Sequence, residues 1–234
     1  MPNRATGAPW ERVAGTTHQE VDGGSVSRSR LSTQAIVDTA IAIADVDGLD
    51  AVSIRRVAAV LEVRPMSLYT HIVSKDELLA LMANELIGTA IVEEPLPQDW
   101  RAALTLTSRK LFRTFASHPW LLALLARRPR PGPSAARYAK QMSGAVECLG
   151  LPADEMWTLI SIVNDYIVGH AMRVATTGST SDFVDHLSEQ DRADLPSVDA
   201  LAKTEETRLA GEVFELGLRT VLDGVEHRFV TGRR

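Results

Sequence analysis

The chain has 234 residues, 45% apolar and 24% charged, enough to bury one large core or two smaller ones without covalent staples. A single cysteine, Cys148, permits no intrachain disulfide, and no Cys/His quartet suits a structural zinc site; both facts fit a reducing cytoplasm and argue against redox or metal chemistry. The formal charge of −5 is uneven: Asp182 to Glu206 holds eight acidic residues against Arg192 and Lys203, whereas Ser53 to Lys75 carries Arg55, Arg56, Arg64 and Lys75 against Glu62 alone.

Residues 1–30 carry two prolines, four glycines and few large apolar groups, which predicts a disordered arm and no signal peptide. Its end, Ser27-Arg28-Ser29-Arg30, places two guanidinium groups before the first helix, as a solvated tail or as a phosphate or minor-groove contact. The most apolar run, Trp120 to Ala126, is far short of the roughly 20 residues of a membrane span, so a soluble, cytoplasmic protein is expected. No stretch alternates long enough to read as a strand, and helical spacing recurs throughout: the fold class is all-α.

Ser32 can cap a first helix with apolar Ile36, Val37, Ala40, Ile41 and Ala44, ended by Gly48 at positive φ. Ser53 opens a second, short helix through Arg56, Val57, Val60 and Leu61, and a third runs from Pro65 to about His71. Ser74-Lys75-Asp76-Glu77 reads as a capping box for a fourth, through Leu78, Leu79, Met82 and Leu86 to about Val92, before Pro95 and Pro97 break the pattern. Asp99 to Ser117 is amphipathic through Leu104, Leu111, Phe112 and Phe115, and His118-Pro119-Trp120 stops it. A short apolar helix then ends in Arg127-Arg128-Pro129-Arg130-Pro131-Gly132-Pro133, a loop by its proline content. Ser134 to Leu149 is the next helix, closed by Gly150. A long one follows from near Pro152 to about Thr176, before Gly178, with Asp154 and Glu155 in its first turn. An acidic loop around 180–204 precedes the last helix, Glu205 to about Phe229.

Ser53 to His71 has the form of a helix-turn-helix. Ala58 is small enough for a second helix to cross closely, and Val57, Leu61, Val63 and Leu68 fit beneath the crossing. The outward set is then Arg64, Pro65, Met66, Ser67, Tyr69, Thr70 and His71, a mixture of donors, acceptors and apolar groups suited to base edges and phosphates. The turn position that most such motifs give to glycine is Glu62, which must take positive φ at about 1–2 kcal/mol or tilt the turn.

Gly48-Leu49-Asp50, Ser53-Ile54-Arg55-Arg56-Val57-Ala58, Ser67-Leu68-Tyr69-Thr70-His71 and Lys75-Asp76-Glu77-Leu78-Leu79 together resemble the DNA-binding domain of the tetracycline-repressor (TetR) family of bacterial transcriptional regulators. The remainder is similar to the family's ligand-binding domain at Trp100, His118-Pro119-Trp120, Gly132-Pro133, Tyr166-Ile167-Val168-Gly169, Phe214-Glu215-Leu216-Gly217-Leu218 and Leu222-Asp223-Gly224. After the disordered arm expected at 1–30, the resemblance implies a three-helix DNA-binding domain at 31–78 and a larger effector-binding and dimerisation domain at 79–234. It implies a homodimer that binds a palindromic double-stranded operator and releases it when a small molecule enters the second domain, with no cofactor. It assigns Arg55 and Ser67 to operator contacts, Pro65, Met66 and Thr70 to base-edge packing, and Tyr69, His71 and Lys75 to phosphates.

Two rivals are weighed beside that reading. An enzyme lacks support, because no Gly-rich phosphate loop, nucleophile elbow or His-x-x-x-His spacing is present. A helical protein-interaction module without operator specificity is the alternative. For the effector, Phe112, Phe115, Trp120, Met142, Trp157 and Asn164 are the pocket candidates, although each also suits plain core. Asn164 shares its helix face with Trp157, Ile160, Val168 and Ala171, so its amide needs a partner there: ligand, second subunit or backbone. The long helix and the last helix carry apolar residues beyond what one face needs, which predicts a four-helix dimer interface.

Overall fold

A computed structural model describes residues 31–175 and 210–232. The expectations for the arm with Arg28 and Arg30, for Gly178, for the acidic 182–206 segment and for a last helix beginning at Glu205 lie outside the described residues. Those residues form helices and turns, with no strand among them. They fall into two compact units, one of residues 31–91 and 120–140, the other of 92–119, 141–175 and 210–232. No helix among the described residues is long and apolar enough to cross a membrane.

The first unit opens with α1 (Thr33–Asp47), whose N-cap Ser32 accepts a hydrogen bond from the Ala35 amide at 3.1 Å. It buries Ile36, Val37, Ala40, Ile43 and Ala44. The spacing pointed to Ile41 where the structure buries Ile43, because α1 is packed by two helices rather than one and its apolar face is broader than a single stripe. Gly48, at φ 82, ends α1 and admits a 3₁₀ turn, Leu49–Ala51. Ser53 caps α2 (Ile54–Val60) through the Arg56 amide at 3.2 Å, and α3 (Pro65–Leu68) starts on its proline.

At α4 (Lys75–Thr89) the Ser74 hydroxyl accepts from the Glu77 amide at 3.1 Å. The Glu77 carboxylate reaches back one residue further than a capping box requires, taking the Val73 amide at 2.6 Å. Helix α4 buries Leu78, Leu79, Leu81, Met82 and Leu86, each worth about 1.5–3 kcal/mol when fully removed from water, and so anchors the unit. Helix α6 (Trp120–Ala126) belongs to this unit as well. The Trp120 indole donates to Asp45 at 2.7 Å, and Arg127 just beyond the helix donates to Asp50 at 2.9 Å.

The second unit is built on α5 (Trp100–Ser117), α8 (Ala153–Ala175) and α9 (Ala210–Val225). Asp99 caps α5 through the Ala102 amide at 2.8 Å. Helix α7 (Pro133–Val146) brings in Gln141, whose side chain accepts from the Val92 amide at 3.0 Å and donates to the Val92 carbonyl at 2.8 Å. A 3₁₀ turn, Glu147–Leu149, ends at Gly150 with φ 57. Helix α8 lays Leu159, Ile160, Val163, Ile167 and Ala171 into the core against α5 and α9. A π-helical turn, Glu226–Thr231, follows α9. Arg101 ties α5 to that end through Glu226 at 2.9 Å and through Asp223.

Candidate functional site

The helix-turn-helix is held from inside by Val57, Ala58 and Leu68, all buried, with Leu61 and Val63 half-buried at the crossing. The Val63 amide closes the turn on the Ala58 carbonyl at 2.9 Å. Glu62 stands at φ 55, so the chain takes the left-handed conformation with a side chain present, a strain of about 1–2 kcal/mol. That turn fixes the entry into α3. Helix α3 is shorter than its pattern predicts: it ends at Leu68 because the Thr70 hydroxyl donates to the Ser67 carbonyl at 2.7 Å and the Ile72 amide returns to Leu68. Tyr69, Thr70 and His71 therefore sit in the turn after the helix.

Around that core the outward groups gather on one segment. Arg64, Pro65, Thr70 and Lys75 are exposed, as are Met66 at 73% and Tyr69 at 47%, while Ser67 and His71 are half-buried. Arg55 is exposed on α2, whereas its neighbour Arg56 is engaged by Asp47. Arg55, Arg64 and Lys75 have no carboxylate partner among the described residues. Two large side chains, Met66 and Tyr69, are thus held in water beside three unpaired cations, which suits an anionic partner carrying flat apolar surface.

The second unit holds a different cluster. Phe112 on α5 stacks on Phe214 of α9 with ring centres 4.1 Å apart and planes 10° apart, and the edge of His170 meets both rings, at 5.2 and 5.4 Å. Tyr166, one helical turn before His170, stacks on Phe214 at 5.7 Å and donates its hydroxyl to the Phe214 carbonyl at 2.9 Å. Burial raises the Tyr166 hydroxyl above its ordinary range, so it stays a donor. Gly217 makes this contact feasible, since a Cβ there would lie 2.2 Å from the tyrosine oxygen. Ser108, one turn before Phe112, is fully buried, and its hydroxyl has no hydrogen-bond partner among the described residues.

Of the effector candidates, Phe112 lies in this cluster, and Phe115 and Met142 are buried in the same unit. Asn164 is half-buried on α8, and Trp157 stands 69% exposed on the same helix. Trp120 lies in the first unit with its indole on Asp45. Sequence reasoning on pocket residues passed over Ser108, Tyr166, His170 and Phe214. The i, i+4 pair of Tyr166 and His170 on one long helix was the available signal. It does not reveal Phe214, which arrives from 48 residues further along the chain. Nor did it reveal the two-pronged pairing of Arg109 with Glu215, at 2.6 and 2.7 Å.

Comparison with known proteins bears on both clusters. Residues 94–229 match the family described as "Tetracyclin repressor-like, C-terminal domain". The HTH-type transcriptional repressor DrrR1 of Streptomyces coeruleorubidus is 36% identical over 148 residues, 60% of this chain and 53% of that protein. An HTH-type transcriptional regulator of Saccharopolyspora erythraea is 26% identical over 200 residues, 83% of this chain and 81% of its own length. The chain thus spans about half the length of the first relative and most of the second. Among solved structures, the TetR family protein ActR of Streptomyces coelicolor in complex with (S)-DNPA superposes with a TM-score of 0.70 at 26% identity, covering 86% of this chain and 100% of ActR. ActR in complex with actinorhodin gives 0.71 at 25% identity, covering 86% and 98%. With more than half of its length matched by the family and a like fold over the 86% that superposes on ActR, the chain belongs to the TetR family of transcriptional regulators.

Proposed function

We propose that the protein is a ligand-responsive repressor that binds a palindromic operator as a homodimer and is released by a small-molecule effector. The observation that carries the reading is the exposed set on and after α3. Arg55, Arg64 and Lys75 meet phosphates together with Tyr69 and His71, and Pro65, Met66, Ser67 and Thr70 meet base edges. A recognition helix of four residues reads too few base pairs alone, so two copies are required. Trp157, Ile162 and Met172 on α8 and Leu216 on α9 are large apolar groups left in water in one chain, and the second copy covers them.

The effector belongs to the second unit. ActR, one structural relative, is solved in complex with actinorhodin and with (S)-DNPA. In this chain the ring cluster of Phe112, Tyr166, His170 and Phe214 supplies flat apolar walls, and the Ser108 hydroxyl supplies a polar group that has no partner among the described residues. The test is a footprint on genomic fragments with the purified protein, paired with light scattering. A protected inverted repeat and a mass near twice 25.5 kDa are expected. A monomer with no protected site overturns the reading in favour of a helical interaction module.

A further inference from the structure

A concavity lies in the first unit and shares no lining residue with the ring cluster. It is a groove of about 340 Å³ between α4 and the loop that joins α6 to α7, within the size range of small-molecule sites. Ala83 and Ile87 of α4 and Leu125 of α6 supply apolar wall, and Arg128 and Arg130 stand along the loop side. No carboxylate lines it.

The loop is built, not slack. Arg127 is spent on Asp50, and the Asn84 side-chain oxygen accepts from the Ser134 amide at 3.0 Å. Gly132 packs so tightly on Asn84 that a Cβ would lie 2.2 Å from that oxygen. Pro129 and Pro131 fix their own φ, and Arg128 between them and Arg127 is held at φ 51, in the left-handed region where an arginine costs about 1–2 kcal/mol. Unlike Arg127, neither Arg128 nor Arg130 has a carboxylate partner among the described residues. The fold thus sustains a strained backbone to hold two unpaired guanidinium groups over an apolar floor, the arrangement expected of a ligand clamp.

We propose that this groove binds a small amphipathic organic acid, its carboxylate forked by Arg128 and Arg130 and its hydrocarbon body laid on Ala83, Ile87 and Leu125. Guanidinium matches carboxylate in bidentate geometry, and the apolar wall excludes a bare inorganic anion as the preferred occupant. DNA phosphate is the other anion that free arginines take, but a phosphodiester makes no use of the hydrocarbon floor. Since the Ser74 cap of α4 comes three residues after His71, the end of the helix-turn-helix, an occupant bears directly on the helix that anchors the motif. The site is separate from the ring cluster, so it stands or falls independently of the effector reading above.

Titration calorimetry on the full chain, without DNA, tests this with octanoate, 1-octanol and inorganic phosphate as probes. Octanoate is expected to bind once per chain, and 1-octanol and phosphate at least tenfold more weakly. The Arg128→Gln/Arg130→Gln variant, altered only at exposed positions, is expected to keep its melting temperature and to lose octanoate at least tenfold. Arg130→Lys, which keeps the charge but not the fork, is expected to fall between. Equal octanoate binding by the double variant places the acid elsewhere and overturns the proposal, as does 1-octanol binding as tightly as octanoate. It also fails if octanoate does not bind and the double variant instead loses DNA affinity with a shallower salt dependence, which would make these arginines phosphate contacts.

Discussion

The helix-turn-helix and the ring cluster of the second unit are stabilised over very different spans of chain. Within the segment from Ser53 to Glu77 the motif closes on itself through hydrogen bonds between residues three to five apart: Ser53 to Arg56, Ala58 to Val63, Ser67 to Thr70, Ser74 to Glu77. In the second unit Tyr166 meets Phe214 across 48 residues, Arg109 meets Glu215 across 106, and Arg101 meets Glu226 across 125. A locally closed motif can hold its outer face rigid while leaving it without partners, which a surface that must accept DNA requires. A cluster closed by distant segments changes shape when any one helix moves, which suits a site whose filling has to be felt elsewhere.

The sharpest way to break this comparison uses adjacent residues. Leu68 is fully buried under the crossing of α2 and α3, and Tyr69 is 47% exposed beside it. Leu68→Ala is expected to cost about 2–5 kcal/mol, measured by urea denaturation. Tyr69→Ala is expected to shift stability by no more than about 0.5 kcal/mol while removing operator binding in a gel-shift series. If Tyr69→Ala lowers the melting temperature as Leu68→Ala does, the residue serves the core, and the claim of an unpartnered outer face fails.

In the second unit the corresponding test is Gly217→Ala. The new Cβ meets the Tyr166 oxygen and ring carbons, a close approach to a side chain that its neighbours hold, so about 1–3 kcal/mol of destabilisation is expected. An unchanged melting temperature would show that Tyr166 swings freely and that the ring cluster is not a packed unit. Ser108→Ala goes the other way. Removing a buried hydroxyl that has no partner among the described residues is expected to raise the stability of the ligand-free protein by about 1 kcal/mol and to weaken effector binding. A destabilised Ser108→Ala protein would mean that its oxygen is satisfied in solution.

The same contrast in span explains what could be read from sequence. The caps at Ser32, Ser53, Ser74 and Asp99 and the positive φ at Gly48 are local, and residue types at fixed spacing announce them, whereas at Glu62 the spacing left positive φ or a tilted turn and the structure takes positive φ. The inward and outward sets of the motif follow from the same spacing. Helix ends were less legible where a side chain decides them: α3 stops at Leu68 because Thr70 turns back on Ser67. The ring cluster was half visible. Phe112 is marked by its apolar stripe, but Phe214 joins it only through the packing of α9 on α8, and no local pattern encodes that distance. Trp120 shows the same limit, since its placement depends on Asp45, 75 residues earlier.

The smallest expected effect concerns the two-pronged polar contact of the ring-bearing unit. Arg109 grips both oxygens of Glu215, and its hydrogen bonds hold that carboxyl below the ordinary glutamate value of about 4.3. A lowered folded-state value means that the pair's contribution is fully present above the ordinary carboxylate range and is lost as pH falls through the folded-state value. Both side chains remain about a third or more exposed, so water screens the attraction and the contribution is at most about 1 kcal/mol. Glu215→Gln keeps the shape and one acceptor and removes the charge. The difference in unfolding free energy between wild type and this variant is therefore expected to be steady from neutral pH down to about pH 5, to shrink below that, and to fall at neutral pH when salt is raised to about 1 M. A difference that persists unchanged in acid and in high salt would assign the contact between α5 and α9 to packing of the two side-chain stems, and the pairing would then be geometry without electrostatic consequence.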